Sequence, residues 1–200
     1  TSVSDLYTRE ITTGATGATD DTGRFPTLFT NLTGAKVKVI TGYPGGNDVT
    51  MAMEKGEVDA RFGWSWGSLK SRSRSWLDEK KVNILVQMGL EKAVDLPDVP
   101  LIMDFAKNEE QRKVLELIFA RQIMGRPVLA PPGLPPERLQ TLRDAFDATM
   151  KDKAFLAEAE KADWEITPVT GAEIERLMAR IYATPPAIVE LAQKVTPQPK

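Results

Sequence analysis

Two stretches of this sequence combine residue types suited to holding an anion: Ile11-Thr-Thr-Gly-Ala-Thr-Gly-Ala-Thr-Asp20 and Ile40-Thr-Gly-Tyr-Pro-Gly-Gly-Asn-Asp48. Each follows a predicted strand and precedes a predicted helix. A strand that turns through glycines into a helix presents bare backbone N–H groups beside the positive end of the helix dipole, where a carboxylate or phosphate is stabilised. Candidate donors are the N–H groups of Gly45, Gly46 and Asn47, or of Thr16 and Gly17. The hydroxyls of Thr12, Thr13, Thr16, Thr19 and Thr41 can add side-chain bonds. Glycines that only permit tight turns are the plain alternative.

Other chemistries are poorly served. With no histidine and no cysteine in 200 residues, a Ser-His-Asp triad, a Cys-His dyad and thiolate metal sites are excluded, and no metal site is expected. Neither loop carries the Gly-Lys-Ser/Thr of a P-loop. The run Thr13-Gly-Ala-Thr-Gly-Ala resembles the opening of the short-chain dehydrogenase fingerprint, but its third glycine falls on Asp20, where a carboxylate would face the pyrophosphate. No Tyr-x-x-x-Lys pair supports that reading, since Tyr7, Tyr43 and Tyr182 are followed at the fourth position by Ile11, Asn47 and Pro186. Acidic neighbours such as Glu57 with Asp59, or Glu109 with Glu110, read as solvated surface.

A net charge of −2 provides no global field for nucleic acid or acidic lipid, and 42% apolar residues suffice for one ordinary domain or two small lobes. No stretch approaches the run of about 20 apolar residues that spans a bilayer, so membrane insertion is not expected. The first residues, Thr1-Ser-Val-Ser, lack the regions of a signal peptide.

The elements that must position the loops follow from periodicity. The chain is expected to run extended from Leu6 to Thr12, then to form a helix over Arg24–Leu32 on the spacing of Phe25, Leu28, Phe29 and Leu32, stopped by Gly34. Lys36–Thr41 alternates charged and β-branched residues as a strand, and a helix over Val49–Lys55 capped by Asn47 or Asp48 leads to a short strand, Val58–Phe62. This is a βαβ unit. Gly63–Ser75, with Trp64, Trp66, Lys70, Arg72 and Arg74, reads as a solvated helix face or loop. Val82–Gln87 reads as a buried strand, Leu96–Pro100 as a rigid corner and Glu109–Met124 as a helix capped by Asn108 and closed by Gly125. A brief strand is expected at Arg126–Ala130. Beyond the Pro131–Pro136 linker the text is helical over Glu137–Met150, Asp152–Ala162, Gly171–Ala183 and Ala187–Lys194, with a frayed tail from Pro197.

The order of several of these segments resembles the periplasmic substrate-binding receptors of tripartite tricarboxylate transporters, the Bug family. The matching text is Val39-Ile-Thr-Gly-Tyr-Pro-Gly-Gly-Asn-Asp48 with Ala52-Met-Glu-Lys-Gly-Glu-Val-Asp59, Leu96-Pro-Asp-Val-Pro100, Arg126 to Arg138 and Leu142 to Phe155. The resemblance implies an α/β, periplasmic-binding-protein-like lobe with a mostly parallel sheet flanked by helices at 1–125, and a mostly helical returning part of the other lobe at 126–200. It implies a periplasmic, non-catalytic protein that captures a small organic carboxylate for a membrane permease, without a cofactor. The implied ligand-binding residues are Thr13, Gly14, Ala15, Thr16, Gly17 and Asp20 of the first loop and Gly42, Tyr43, Pro44, Gly45, Gly46 and Asn47 of the second, with Asp59 and Trp64 near the cleft by chain order. The family's opening stretch of about a hundred residues, the size of a small domain, has no match here and would carry the opposing jaw. A nucleotide-binding oxidoreductase built on Gly14–Gly17, and an interaction module contacting through Trp64–Arg74, are the readings from other classes.

Overall fold

Short strands alternating with helices assemble here into a parallel sheet, as the βαβ pattern requires. The computed structural model describes residues 2–162 and 164–197. Its first part runs α1 (Asp5–Thr8), β1 (Ile11–Ala15), α2 (Asp21–Thr33), β2 (Val37–Thr41), α3 (Gly46–Glu54) and β3 (Ala60–Arg61). The sheet order is β2-β1-β3, all parallel, with Ile11 opposite Val37, Ala15 opposite Thr41 and Gly14 opposite Arg61. The expected α/β class with helices flanking a parallel sheet is the one observed.

Helix α2 forms where its apolar spacing predicts, burying Phe25, Leu28, Phe29 and Leu32, and Gly34 ends it in the left-handed region at φ +83° with its N–H on Thr30 O. Phe25 packs on Phe119 with ring centroids 5.1 Å apart, and Phe29 meets Phe105 edge-on at 5.4 Å. These rings join Leu6, Ile11, Ile102 and Leu115 in the main core. Helix α3 lies against β1 near Gly14, where a Cβ would stand 2.7 Å from Val49 Cγ1 and 3.1 Å from Tyr43 Cε2. Gly14 is thus required by the close approach of a helix to the sheet.

The remaining elements are α4 (Trp66–Arg72), α5 (Arg74–Asp78), a 3-10 turn (Ile102–Phe105), α6 (Glu109–Ile123), α7 (Pro136–Thr149), α8 (Lys153–Lys161), α9 (Gly171–Tyr182) and α10 (Pro186–Val195). Asn108 caps α6 through Gln111 N–H, and Thr170 with Glu173 forms the expected capping box of α9. Ile188 and Ala192 of α10 pack on Val114 of α6, and Asn31 of α2 donates to Val195 O at 3.0 Å. Helix α7 buries none of its residues. Among the described residues no helix is long and apolar enough to cross a membrane.

Four expectations need correction. The extended run from Leu6 is instead the helical turn α1, which sends Leu6 into the core and offers its carbonyl to Lys36 N–H at 2.7 Å. Val82–Gln87 is no strand: Leu85 and Val86 pack on the core, but only Gln87 finds a backbone partner, in a single parallel bridge to Leu101. Arg126–Ala130 is not a strand either, with Val128 and Leu129 79% and 84% exposed. An apolar run becomes a strand only when another edge lies alongside. Last, Gly45 and not Asn47 or Asp48 is the N-cap of α3. The expected fray beyond Pro197 lies outside the described residues. The corner at Leu96–Pro100 is present, held by Gln87, whose Nε2 donates to Leu96 O and Val99 O while its Oε1 accepts from Ala93 N–H.

Candidate functional site

All strands of the sheet end at one edge, and their loops meet there; in open parallel sheets this carboxyl edge is where ligands bind. The loop after β1 is closed by its own carboxylate. Asp20 caps α2, accepting from Thr22 N–H at 2.9 Å and Gly23 N–H at 3.3 Å, and it also accepts from the hydroxyls of Thr16 and Thr22. Desolvation acts to raise the Asp20 pKa, but the hydrogen bonds from Thr16, Thr22 and Gly23 together outweigh it and hold the carboxyl below its ordinary value. Gly23 makes this closure possible, because a Cβ there would stand 2.1 Å from Gly17 O.

The loop after β2 is open. Gly42 turns at φ +107°, Tyr43 N–H reaches Ala15 O at 3.3 Å, and Gly45 caps α3 with no side chain to offer. The N–H groups that begin α3, at Gly46 and Asn47, have no intrahelical acceptor by the geometry of a helix start. The loop after β3 turns at Gly63, φ +68°, where a Cβ would stand 3.0 Å from the backbone of Asp21, so this loop is seated on the start of α2.

Arg61 projects from the end of β3 into this meeting of loops. Its Nη1 donates to Thr50 Oγ1 at 2.9 Å, its guanidinium carbon lies 4.5 Å from the centre of the Trp64 ring, and its Nη2 fills the space over Gly46 that a side chain would take, 2.2 Å from an ideal Cβ. Its Nε is enclosed without a hydrogen-bond partner, and it forms no ion pair among the described residues. Burial alone shifts it, disfavouring the charge, although an arginine keeps its proton at neutral pH.

The structure brings together most of the residues named from the sequence. Thr16, Gly17 and Asp20 stand in the first loop, and Gly42, Tyr43, Pro44, Gly45, Gly46 and Asn47 form the second loop and the start of α3. Trp64 joins them through Arg61 and meets Trp76 edge-on at 5.8 Å. Thr13, Gly14 and Ala15 belong to β1 and are buried, Thr13 with its Oγ1 unpartnered. Asp59 is not at this edge. It precedes β3 and its carboxylate accepts from Thr12 N–H and Thr12 Oγ1, at 2.8 and 2.9 Å, bonds that hold it below the usual carboxylate range and lock β3 onto β1. Arg61 was absent from the sequence-derived set; a single cation at the end of a short strand, immediately before Phe62-Gly-Trp64, is the signal that marks it.

No protein-family model and no curated protein matches the sequence. Among solved structures the chain is similar to a TctC solute-binding protein from Polaromonas, crystallised with no ligand, with a TM-score of 0.61 and 14% identity over 94% of this chain and 60% of that one. It is also similar to an R. palustris protein solved with adipate, with a TM-score of 0.58 and 16% identity over 96% of this chain and 58% of that one. The fold is therefore that of the TctC-type solute-binding proteins, and the chain spans about three fifths of the length of these neighbours.

Proposed function

We propose that the protein is a non-catalytic solute receptor of the tripartite tricarboxylate, or Bug, type, which captures a small organic carboxylate in the periplasm and hands it to a membrane permease. Residues 1–125 serve as the ligand-binding lobe and residues 126–200 as the returning part of the other. The observation that carries this reading is the uncapped start of α3 in a glycine loop at the carboxyl edge of the sheet, next to a first loop that has already filled its own helix start with Asp20. Backbone N–H groups of Gly46 and Asn47 bind one carboxylate oxygen or both, and Tyr43 and Trp64 wall the solute. The shared fold and the adipate held by one neighbour support the same class of ligand.

Thermal unfolding at constant ionic strength tests this. Adipate and citrate in excess over their dissociation constants are expected to raise the melting temperature by a few degrees, about 2–4 °C for a protein of this size, and 1,6-hexanediol to leave it unchanged. A carboxylate panel with no shift would overturn the receptor.

A further inference from the structure

The second glycine loop contains an electrostatic conflict. Cations stabilise the carboxyl end of a helix and oppose its amino end, where the dipole is positive. Arg61 nevertheless sits at the amino end of α3, pressed over Gly46, the first residue of that helix. No neighbour pairs with it as an ion among the described residues: Thr50 offers a neutral hydroxyl, Trp64 offers a ring face, Asp59 is engaged by Thr12, and Asp48, the acid in the first turn of α3, turns its carboxylate toward Gly45 without an ion pair to Arg61. A half-buried guanidinium beside a helix start, with an enclosed and unpartnered Nε and no ion pair among the described residues, brings two positive ends together and leaves the guanidinium's charge unmatched.

We infer that Arg61 is the charge-recognising residue of this site, its guanidinium and the start of α3 together taking one carboxylate of the solute, so that an anionic group is obligatory in the ligand. The inference rests on the receptor reading above and assigns it a residue. It also gives Gly46 a second purpose: a side chain at position 46 would displace Nη2, so the glycine makes room for the guanidinium as well as for the ligand. Trp64 covers one guanidinium face and Thr50 holds one end, which fixes the plane in which a carboxylate must approach and suits a planar anion.

The test combines a direct probe with a variant. In the wild-type chain, with the Arg61 side-chain N–H correlation assigned by its disappearance in Arg61→Lys, acetate and adipate are titrated while the Arg61 Nε resonance is followed. A saturable shift is expected with both, and Arg61→Gln is expected to weaken adipate binding by about tenfold to a hundredfold. Arg61→Lys, which keeps charge without the planar fork, is expected to fall between. An Arg61 resonance that no carboxylate moves, or undiminished adipate binding in Arg61→Gln, overturns the assignment. If acetate moves the resonance but no longer carboxylate binds more tightly than acetate, Arg61 stands as an anion site and the receptor reading falls.

Discussion

The two glycine loops have the same sequence grammar and opposite occupancy. Each leaves the sheet at the end of a parallel strand, turns and starts a helix, yet the first ends in Asp20, whose carboxylate binds the N–H groups of Thr22 and Gly23, and the second ends in Gly45, which has no side chain to cap its helix. The closed loop shows in miniature what the open one lacks: a carboxylate on a helix start, surrounded by hydroxyls. Even the glycines serve different ends. Gly23 admits backbone, the carbonyl of Gly17, while Gly46 admits a side chain, the guanidinium of Arg61.

That contrast is broken or sharpened by substitutions at matched positions. The largest effect is expected at Gly23→Ala, where the new methyl meets fixed backbone; a loss of at least about 3 kcal/mol in urea unfolding is expected, and a loss below 1 kcal/mol would mean that the first loop is not rigidly closed. Asp20→Ala removes the cap and should cost about 1–2 kcal/mol by the same measurement.

Asp20 also has a pH signature. Its folded carboxyl is held below 3.8, so the unfolded chain takes up the proton first as the pH falls. The stabilisation is complete at neutral pH and is lost as the pH falls from 3.8 through the folded value. Acid unfolding of Asp20→Asn should lack that part of the pH dependence.

In the open loop, effects on stability shrink and effects on binding grow. Gly46→Ala need only push aside the end of a flexible side chain, so unfolding should change by less than about 1 kcal/mol while adipate affinity, read by calorimetry, falls at least tenfold. Gly45→Ser supplies the missing cap, and a gain of only a few tenths of a kcal/mol is expected together with weaker adipate binding, since the hydroxyl competes for the same N–H groups.

What was legible in the sequence is what neighbours along the chain decide. Gly34, Asn108 and the Thr170–Glu173 pair mark their helix ends because capping is local, and the β2-α3-β3 unit follows from alternating periods. Val82–Gln87 and Arg126–Ala130 read as strands by composition, but strand formation depends on a distant edge that composition does not reveal. The site was half legible for the same reason. The glycines announced two helix starts, and the filling of one by Asp20 is local, whereas the approach of Arg61 to the other depends on β3 lying beside β1. Chain order alone points Asp59 toward the cleft, whereas its pairing with Thr12 makes it a clasp between strands.

Gln87 has a consequence for kinetics. One side-chain amide collects the Ala93 N–H and the carbonyls of Leu96 and Val99, while the Gln87 backbone meets Pro100 and Ile102. Asp95 adds a separate fastening to Trp66 and Lys70, but the groups gathered at Gln87 come undone together. Its amide hydrogens, Ala93 among them, should therefore exchange with solvent deuterium at a common opening rate, and Gln87→Ala should accelerate them together while the amides of α6 keep their own pace.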